Sequence, residues 1–360
     1  MNSRDHYMAF MGRKPQNLPH WEHWSCPDAE TTITGIDYYE HPRLCRQKLV
    51  AMYPRLAWSL GVPDDDTPKP RPRLDLDGHS SDPGKHTVRW GDGESAPWSH
   101  GEAFRSAEDV FAYSPLEHAH ESLLGDVTSE ETLYRNWRKL LPAEWGDRAP
   151  EGSTRMDCYN HFTMFMWPLM TFGYELFLET CLDERFDRIM DEFAEINRRV
   201  FRALARMPQN FILCHDDIVN TRGPVCSPAW MRRHIFSRYE EFFGIVRDAG
   251  KQVIFMTDGC VDAFADDIFA CGARGIITEP YTDFRAIARK HENCFLAGEG
   301  DNRVLMRSRP EEIRAMVEGM VETARMTGGY MMCVGNHIPW NVPPKAVQCY
   351  LDLCEELAHR

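Results

Sequence analysis

The sequence predicts an α/β protein of the (β/α)8 TIM-barrel class, and three observations carry that expectation. Short apolar runs such as Phe211-Ile212-Leu213-Cys214 and Val253-Ile254-Phe255-Met256 stop abruptly at polar residues, as buried parallel strands do. Strand and helix patterns alternate at roughly thirty-residue intervals through the second half, the repeat of βα units. Acids stand where the strands end: His215-Asp216-Asp217 after the first run and Thr257-Asp258-Gly259 after the second. In a barrel of such units that end carries the chemistry.

The chain has 360 residues, within the range of one α/β barrel, and no linker composition divides it, so a single domain over 1–360 is expected. Hydrophobic residues make up 43%, enough for a sizeable core. The formal net charge of -14 argues against binding along a nucleic-acid backbone, which requires a basic surplus. No run is long enough to span a membrane and the N-terminus has no apolar signal core, so a cytoplasmic protein is expected. The 12 Cys show no repeated C-x-x-C spacing, which points to reduced thiols rather than a disulfide framework.

Taken in order, residues 3–11 read as a short amphipathic helix carrying Tyr7, Phe10 and Met11 on one side. The segment 18–24 reads as the first strand. Trp21, Glu22, His23 and Trp24 alternate there, so one set faces the core and the other faces solvent or a cavity. Residues 38–60 read as a helix interrupted near Pro54. Residues 63–101 are crowded with Pro, Gly, Asp and His, which predicts an irregular insertion with a hairpin over 86–93. On a barrel such an insertion serves as a lid, a surface decoration or a dimer contact.

Residues 106–141 read as mostly helical. The stretch 158–173 reads as a strand leading into an aromatic and Met shelf that includes Tyr159, His161, Trp167 and Phe172, suited to a flat apolar ligand or to plain core. Residues 174–206 carry a strong helical period. After the two strands described above, 261–271 reads as a helix. Residues 274–278 form a strand delivering Glu279, and 294–298 form one delivering Glu299 and Asp301. Residues 310–326 read as a helix with Glu311 and Glu312 in its first turn, where the helix dipole favours acids. Residues 329–334 form a strand ending in Gly335-Asn336-His337, and a closing helix begins at Pro343.

These residues resemble the uroporphyrinogen decarboxylase superfamily, which also contains the corrinoid-linked methyltransferases. The resemblance rests on His215-Asp216-Asp217, Thr221-Arg222-Gly223-Pro224 with Ser227-Pro228, and Gly250-Lys251-Gln252-Val253-Ile254 with Asp258-Gly259. It extends to Gly328-Gly329-Tyr330 with Gly335-Asn336-His337, to Val342-Pro343-Pro344 and to Pro168-Leu169-Met170-Thr171-Phe172. It implies a barrel whose pocket opens at the C-terminal ends of the strands.

Within that superfamily, true uroporphyrinogen decarboxylases carry an Arg-rich N-terminal segment for the substrate's carboxylates. Here the matching stretch Trp21-Glu22-His23-Trp24-Ser25-Cys26-Pro27 has no Arg, and Phe172 stands where the decarboxylase has a tyrosine. The zinc methyltransferases use an H-x-C motif and a later Cys. This chain has Met256-Thr257-Asp258 and Asn336 at those places, with Cys260 and Cys333 out of register, so no zinc ligand and no other metal ligand is assigned.

The resemblance therefore implies a methyltransferase moving a methyl group from a small O- or N-methyl substrate to cobalamin, the corrinoid of a partner protein. The reading left open beside it is a decarboxylase or other lyase acting on a less anionic substrate, with a ligand-binding barrel without turnover as a third. His337, Asp217 and Asp258 are the catalytic candidates, the first two as acid–base groups and Asp258 orienting the donor together with Glu22. The further substrate-binding candidates are His23, Trp24, Tyr159, His161, Phe172, Asp216, Glu279, Asp301 and Asn336. A homodimer is implied by the resemblance alone.

Overall fold

The structure is a computed structural model describing residues 3–23, 26–58, 61–69, 71, 85–89, 95–99, 104–122, 125–150, 152–154, 159–160 and 163–359. The chain divides into two compact units: Met1–Trp98 with Ile277–Arg360, and Ser99–Ile276. Among the described residues no helix is long and apolar enough to cross a membrane.

The chain opens with α1 (Ser3–Phe10), β1 (His20–Glu22), α2 (Pro27–Thr34), α3 (Pro42–Met52), β2 (Leu56–Trp58), β3 (Lys85–Arg89) and β4 (Ser95–Ser99). The middle of the chain supplies α4 (Ala107–Ala112), α5 (Glu130–Arg138), β5 (Tyr159–Asn160), α6 (Met166–Phe172), α7 (Tyr174–Thr180) and α8 (Arg185–Arg206). Then follow β6 (Phe211–His215), β7 (Val219–Asn220), β8 (Gly223–Pro224), α9 (Pro228–Met231), α10 (Ser237–Asp248), β9 (Gln252–Met256) and α11 (Ala265–Ala270). The last part holds β10 (Gly275–Ile277), α12 (Phe284–Lys290), β11 (Phe295–Ala297), α13 (Asn302–Arg307), α14 (Pro310–Met326), β12 (Gly329–Met331) and α15 (Pro344–Leu357).

In the unit built from both ends of the chain, β11 pairs in parallel with β12, and β1 pairs in parallel with β2. Trp21 N–H donates to the Met332 carbonyl (3.0 Å), so β1 runs beside the end of β12. In the middle unit β6 lies between two parallel partners, β5 and β9. Its apolar residues Phe211 to Cys214 are all buried, which is why the strand reads as a continuous apolar run. Helix α8 turns Phe186, Ile189, Met190, Phe193, Ile196, Val200, Phe201 and Leu204 inward at helical spacing.

Two local expectations are corrected, and a third is made specific. Residues 56–58 are a strand rather than the end of an interrupted helix, because Leu56, Ala57 and Trp58 pair with His20, Trp21 and Glu22. The strand expected at the head of 158–173 is β5, and the aromatic residues after it form the helix α6, since Gly173 N–H returns to the Leu169 carbonyl (2.9 Å) and its φ of 80° ends the turn. The segment 174–206 is two helices, α7 and α8, with Asp183 bonding the Arg185 N–H between them (2.9 Å). The expected hairpin near 86–93 matches the pairing of β3 with β4, while residues 90–94 between them lie outside the described residues.

Candidate functional site

Strand alternation sorts the residues at the end of β6. Phe211, Leu213, His215 and Asp217 share one side, while Ile212, Cys214 and Asp216 share the other. On β9 the residue opposite His215 is Met256, and Leu213 faces Ile254, so Asp258 continues the same side as His215 and Asp217. The opposite side of β9 meets helix α10, where Phe255 packs edge-on against Tyr239 at 5.7 Å between ring centroids.

The imidazole Nε2 of His215 is 2.9 Å from Asp217 Oδ1. That same oxygen accepts the Asp258 backbone N–H at 2.9 Å. His215, Asp217 and Asp258 each place one nitrogen or oxygen within 4.8 Å of the others, and all three side chains are partly exposed. Among the described residues, they are the His, Cys, Asp or Glu group gathered closely enough to hold a metal ion. Burial by itself would lower the His215 pKa. The hydrogen bond and charge of Asp217, then the charges of Asp258 and Asp216, outweigh it and raise the imidazole above its ordinary value.

The loop after β9 is held in place by Gly259. Its φ is 97°, and a Cβ there would lie 2.5 Å from the Asn220 carbonyl carbon. Cys260 N–H donates to the Asn220 carbonyl (2.9 Å), and buried Thr257 Oγ accepts the Ile218 N–H (3.3 Å). The β6 and β9 loops are thereby fastened to each other, and this fixes the approach of Asp258 to Asp217.

Asp216, expected to touch substrate, points the other way and is fully buried. It accepts hydrogen bonds from Tyr239 Oη (2.6 Å), Phe165 N–H (3.1 Å) and Met166 N–H (2.6 Å), tying β6 to α10 and to the start of α6. Burial pushes its carboxyl up to about 6, although the bonds from Tyr239, Met166 and Thr163 pull it down. Phe172 is 1% exposed within a cage of Phe104, Tyr113, Phe186 and Phe193, so it is core rather than part of a ligand shelf. For Tyr159 only the backbone, in β5, is described, and His161 lies outside the described residues.

In the other unit, Glu22 is 1% exposed and is engaged internally. It bonds His20 Nε2 (2.8 Å), Tyr350 Oη (2.6 Å) and the Val334 N–H (3.3 Å), so it pins β1 to the C-terminal segment instead of facing substrate. Burial raises its pKa despite those partners. The neighbouring His23 faces elsewhere, its ring centroid 5.5 Å from that of His337. His337 Nδ1 is 2.8 Å from Asn336 Oδ1, and Asn336 adopts a positive φ of 64°. Asn302 Nδ2 holds this turn by donating to the carbonyls of His337 (2.7 Å) and Gly335 (3.3 Å).

Asp301 caps α13 through the Arg303 N–H (2.8 Å) and pairs with the Arg303 guanidinium. Glu279 is half-buried and lends negative charge to that same Arg303. Trp24 lies outside the described residues. The offset Cys333 is fully buried, and burial pushes its thiol far above the ordinary range, so it stays protonated at neutral pH and is a poor metal ligand.

His215 was not among the sequence candidates, although it stood in the motif that led to them. The signal was present: it shares a strand side with Asp217, two residues on, while Asp216 does not.

The uroporphyrinogen decarboxylase (URO-D) family profile matches residues 169–357, more than half of the chain. The chain belongs to this family. Among solved structures, a methyltransferase from Methanosarcina mazei aligns at a TM-score of 0.54 with 15% identity, covering 98% of each chain. That likeness speaks for the fold, which is the (β/α)8 TIM barrel that the strand–helix alternation predicts. A xylose isomerase-like TIM barrel protein from Mycobacterium smegmatis, solved with magnesium, aligns at a TM-score of 0.27 with 11% identity. It covers 71% of this chain and 100% of its own, and at that score it carries no argument. A comparison with curated proteins found no match.

Proposed function

We propose that this family member is an enzyme that moves a methyl group from an oxygen or nitrogen of a small donor to the reduced cobalt of a corrinoid carried by a partner protein. The observation that carries the reading is the convergence of His215, Asp217 and Asp258 at the C-terminal ends of two adjacent parallel strands. Reduced cobalt is already a strong nucleophile, so the enzyme's task lies at the leaving group. As the carbon–oxygen or carbon–nitrogen bond breaks, the heteroatom keeps the electron pair and needs a proton or a cation to stabilise it. In a His–Asp–Asp centre the imidazole can hand that atom a proton, or the three side chains can hold a cation beside it, and the carboxylates orient what binds. The likeness to a solved methyltransferase agrees with this reading. A cytoplasmic homodimer belongs to the same proposal.

A second reading has one observation in its favour. His215 lies 2.9 Å from Asp217, whose hydrogen bond and charge outweigh burial and raise the imidazole pKa, which favours a group that delivers a proton to a carbanion after loss of CO2. The family's own name is that of a decarboxylase.

The deciding experiment is an anaerobic absorbance titration of the protein with reduced cobalamin, followed by methoxylated and methylamine donors. Conversion of the cobalt(I) spectrum to that of methylcobalt(III), dependent on both enzyme and donor, is expected. No conversion across a broad donor panel, together with no corrinoid binding, overturns the reading and moves attention to CO2 release.

A further inference from the structure

We propose that His215, Asp217 and Asp258 bind one first-row divalent cation through an imidazole nitrogen and two carboxylate oxygens. The donor set is one nitrogen and two oxygens with no thiolate, a combination that suits zinc, cobalt(II) or manganese(II). Three protein ligands leave coordination positions open, the pattern of a catalytic rather than a structural site.

The spacing fits with little movement. In a tetrahedral site with bonds of about 2.0–2.1 Å, neighbouring ligand atoms stand roughly 3.3 Å apart. His215 Nε2 and Asp217 Oδ1 are 2.9 Å apart, and all three ligand atoms lie within 4.8 Å of one another. A cation entering between His215 and Asp217 takes the place of the proton they share and draws Asp258 in. Two carboxylates at this range repel each other, and a divalent ion removes that cost.

The ligands are also supported from behind. Asp217 is aimed by the Asp258 N–H. The Asp258 loop is locked by the close passage of Gly259 against Asn220 and by the Cys260 bond to the same residue. His215 sits on a strand paired residue by residue with β9. Such supporting contacts are what hold metal ligands in their working geometry. The side chains of His215 and Asp217 are 12% and 32% exposed, so an ion has a route in.

The ligand set differs from the thiolate set that the methyltransferase resemblance leads one to seek, since Asp258 stands where a Cys would be and His215 with Asp217 comes from the preceding strand. Binding of the cation is independent of the reaction. Its use as the Lewis acid at the donor's heteroatom rests on the methyl-transfer reading.

The test uses the full chain freed of metal with a chelator, then titrated with zinc, cobalt(II) or manganese(II) alone by calorimetry and by equilibrium dialysis with elemental analysis. One equivalent per chain is expected. His215→Gln, Asp217→Asn and Asp258→Asn should each weaken binding at least about tenfold, with far-UV circular dichroism unchanged. Cobalt(II) should give a visible spectrum without a thiolate charge-transfer band, and Cys260→Ser should bind as the parent does. If His215→Gln fails to fold, the near-isosteric Asp258→Asn still decides the matter.

No binding of any of the three metals overturns the proposal, and so does binding that Asp217→Asn and Asp258→Asn leave intact. Stoichiometric metal binding with no methyl transfer from any donor sinks the functional reading and leaves the site standing. Methyl transfer at an undiminished rate in the chelated protein overturns the cation's catalytic role and leaves the functional reading standing.

Discussion

Asp217 and Asp258 are joined by a 2.9 Å hydrogen bond from the Asp258 backbone N–H to the Asp217 oxygen that also meets His215. One carboxylate oxygen thus binds the end of β6 to the loop after β9 and orients the imidazole between them. The site and the local fold share this contact, so shape and charge have to be removed separately to tell their effects apart.

Asp217→Asn keeps the shape and removes the charge. It should lower the single-turnover methyl-transfer rate by about a hundredfold or more while changing stability little. Asp217→Ala should lose the same activity and also cost about 1–3 kcal/mol, because the Asp258 N–H is left without its carboxylate. Urea unfolding beside stopped-flow absorbance separates the two. Equal rates for Asp217→Asn and the parent would remove Asp217 from the chemistry.

Gly259 is the steric condition for the loop that carries Asp258. Gly259→Ala places a methyl group against the Asn220 backbone at a positive φ. A cost of about 2–4 kcal/mol follows from the two penalties together, with weaker cation binding as Asp258 is displaced. An alanine variant of parental stability and affinity would show that the two loops part easily.

In the other unit, Arg46 and Glu30 form a buried two-pronged ion pair, with Nε to Oε2 and Nη2 to Oε1 both at 3.0 Å. Arg46→Ala leaves the Glu30 carboxylate buried without its partner and should cost about 3–5 kcal/mol. Exchanging both residues for apolar ones of similar volume should cost much less. Denaturant unfolding of the two single variants and the double variant checks this. Additive losses would mean that the pair is not coupled.

Glu299 gives stability a pH dependence of defined sign. Burial holds its carboxyl above the ordinary glutamate range, even though Tyr330 (2.6 Å) and Thr323 (2.8 Å) donate to it. The folded state therefore holds this proton more tightly than the unfolded chain. Its contribution is complete below the ordinary glutamate value and is lost as pH rises through the higher folded value. The stability of the parent minus that of Glu299→Gln should fall between acid and neutral pH, as read by urea unfolding. A difference that stays flat or grows with pH would refute the assignment.

Some of this was readable from the chain. The β6 and β9 runs are apolar and stop at polar residues with acids just beyond, so the strands and their parallel class followed from local pattern. Helix α14 keeps the bounds expected of it, because Pro310 can occupy only the first turn and Glu311 and Glu312 suit the dipole there. The stretch before Gly173 left its own backbone open, because a short run rich in aromatic residues fits a strand and a buried helix equally. Which one forms was decided by neighbours such as Phe186 and Phe193, contributed from another helix.

The sequence by itself determined the α/β class and the alternation that separates Asp216 from Asp217. Only the tertiary structure decided which side of each strand is which. Tyr239 and the backbone of α6 claim Asp216 for the interior, and Tyr350 with Val334 claims Glu22. Asp258 reaches Asp217 from a neighbouring strand more than forty residues away. The period of a strand is a property of its own backbone, whereas the identity of the buried side belongs to whatever packs against it.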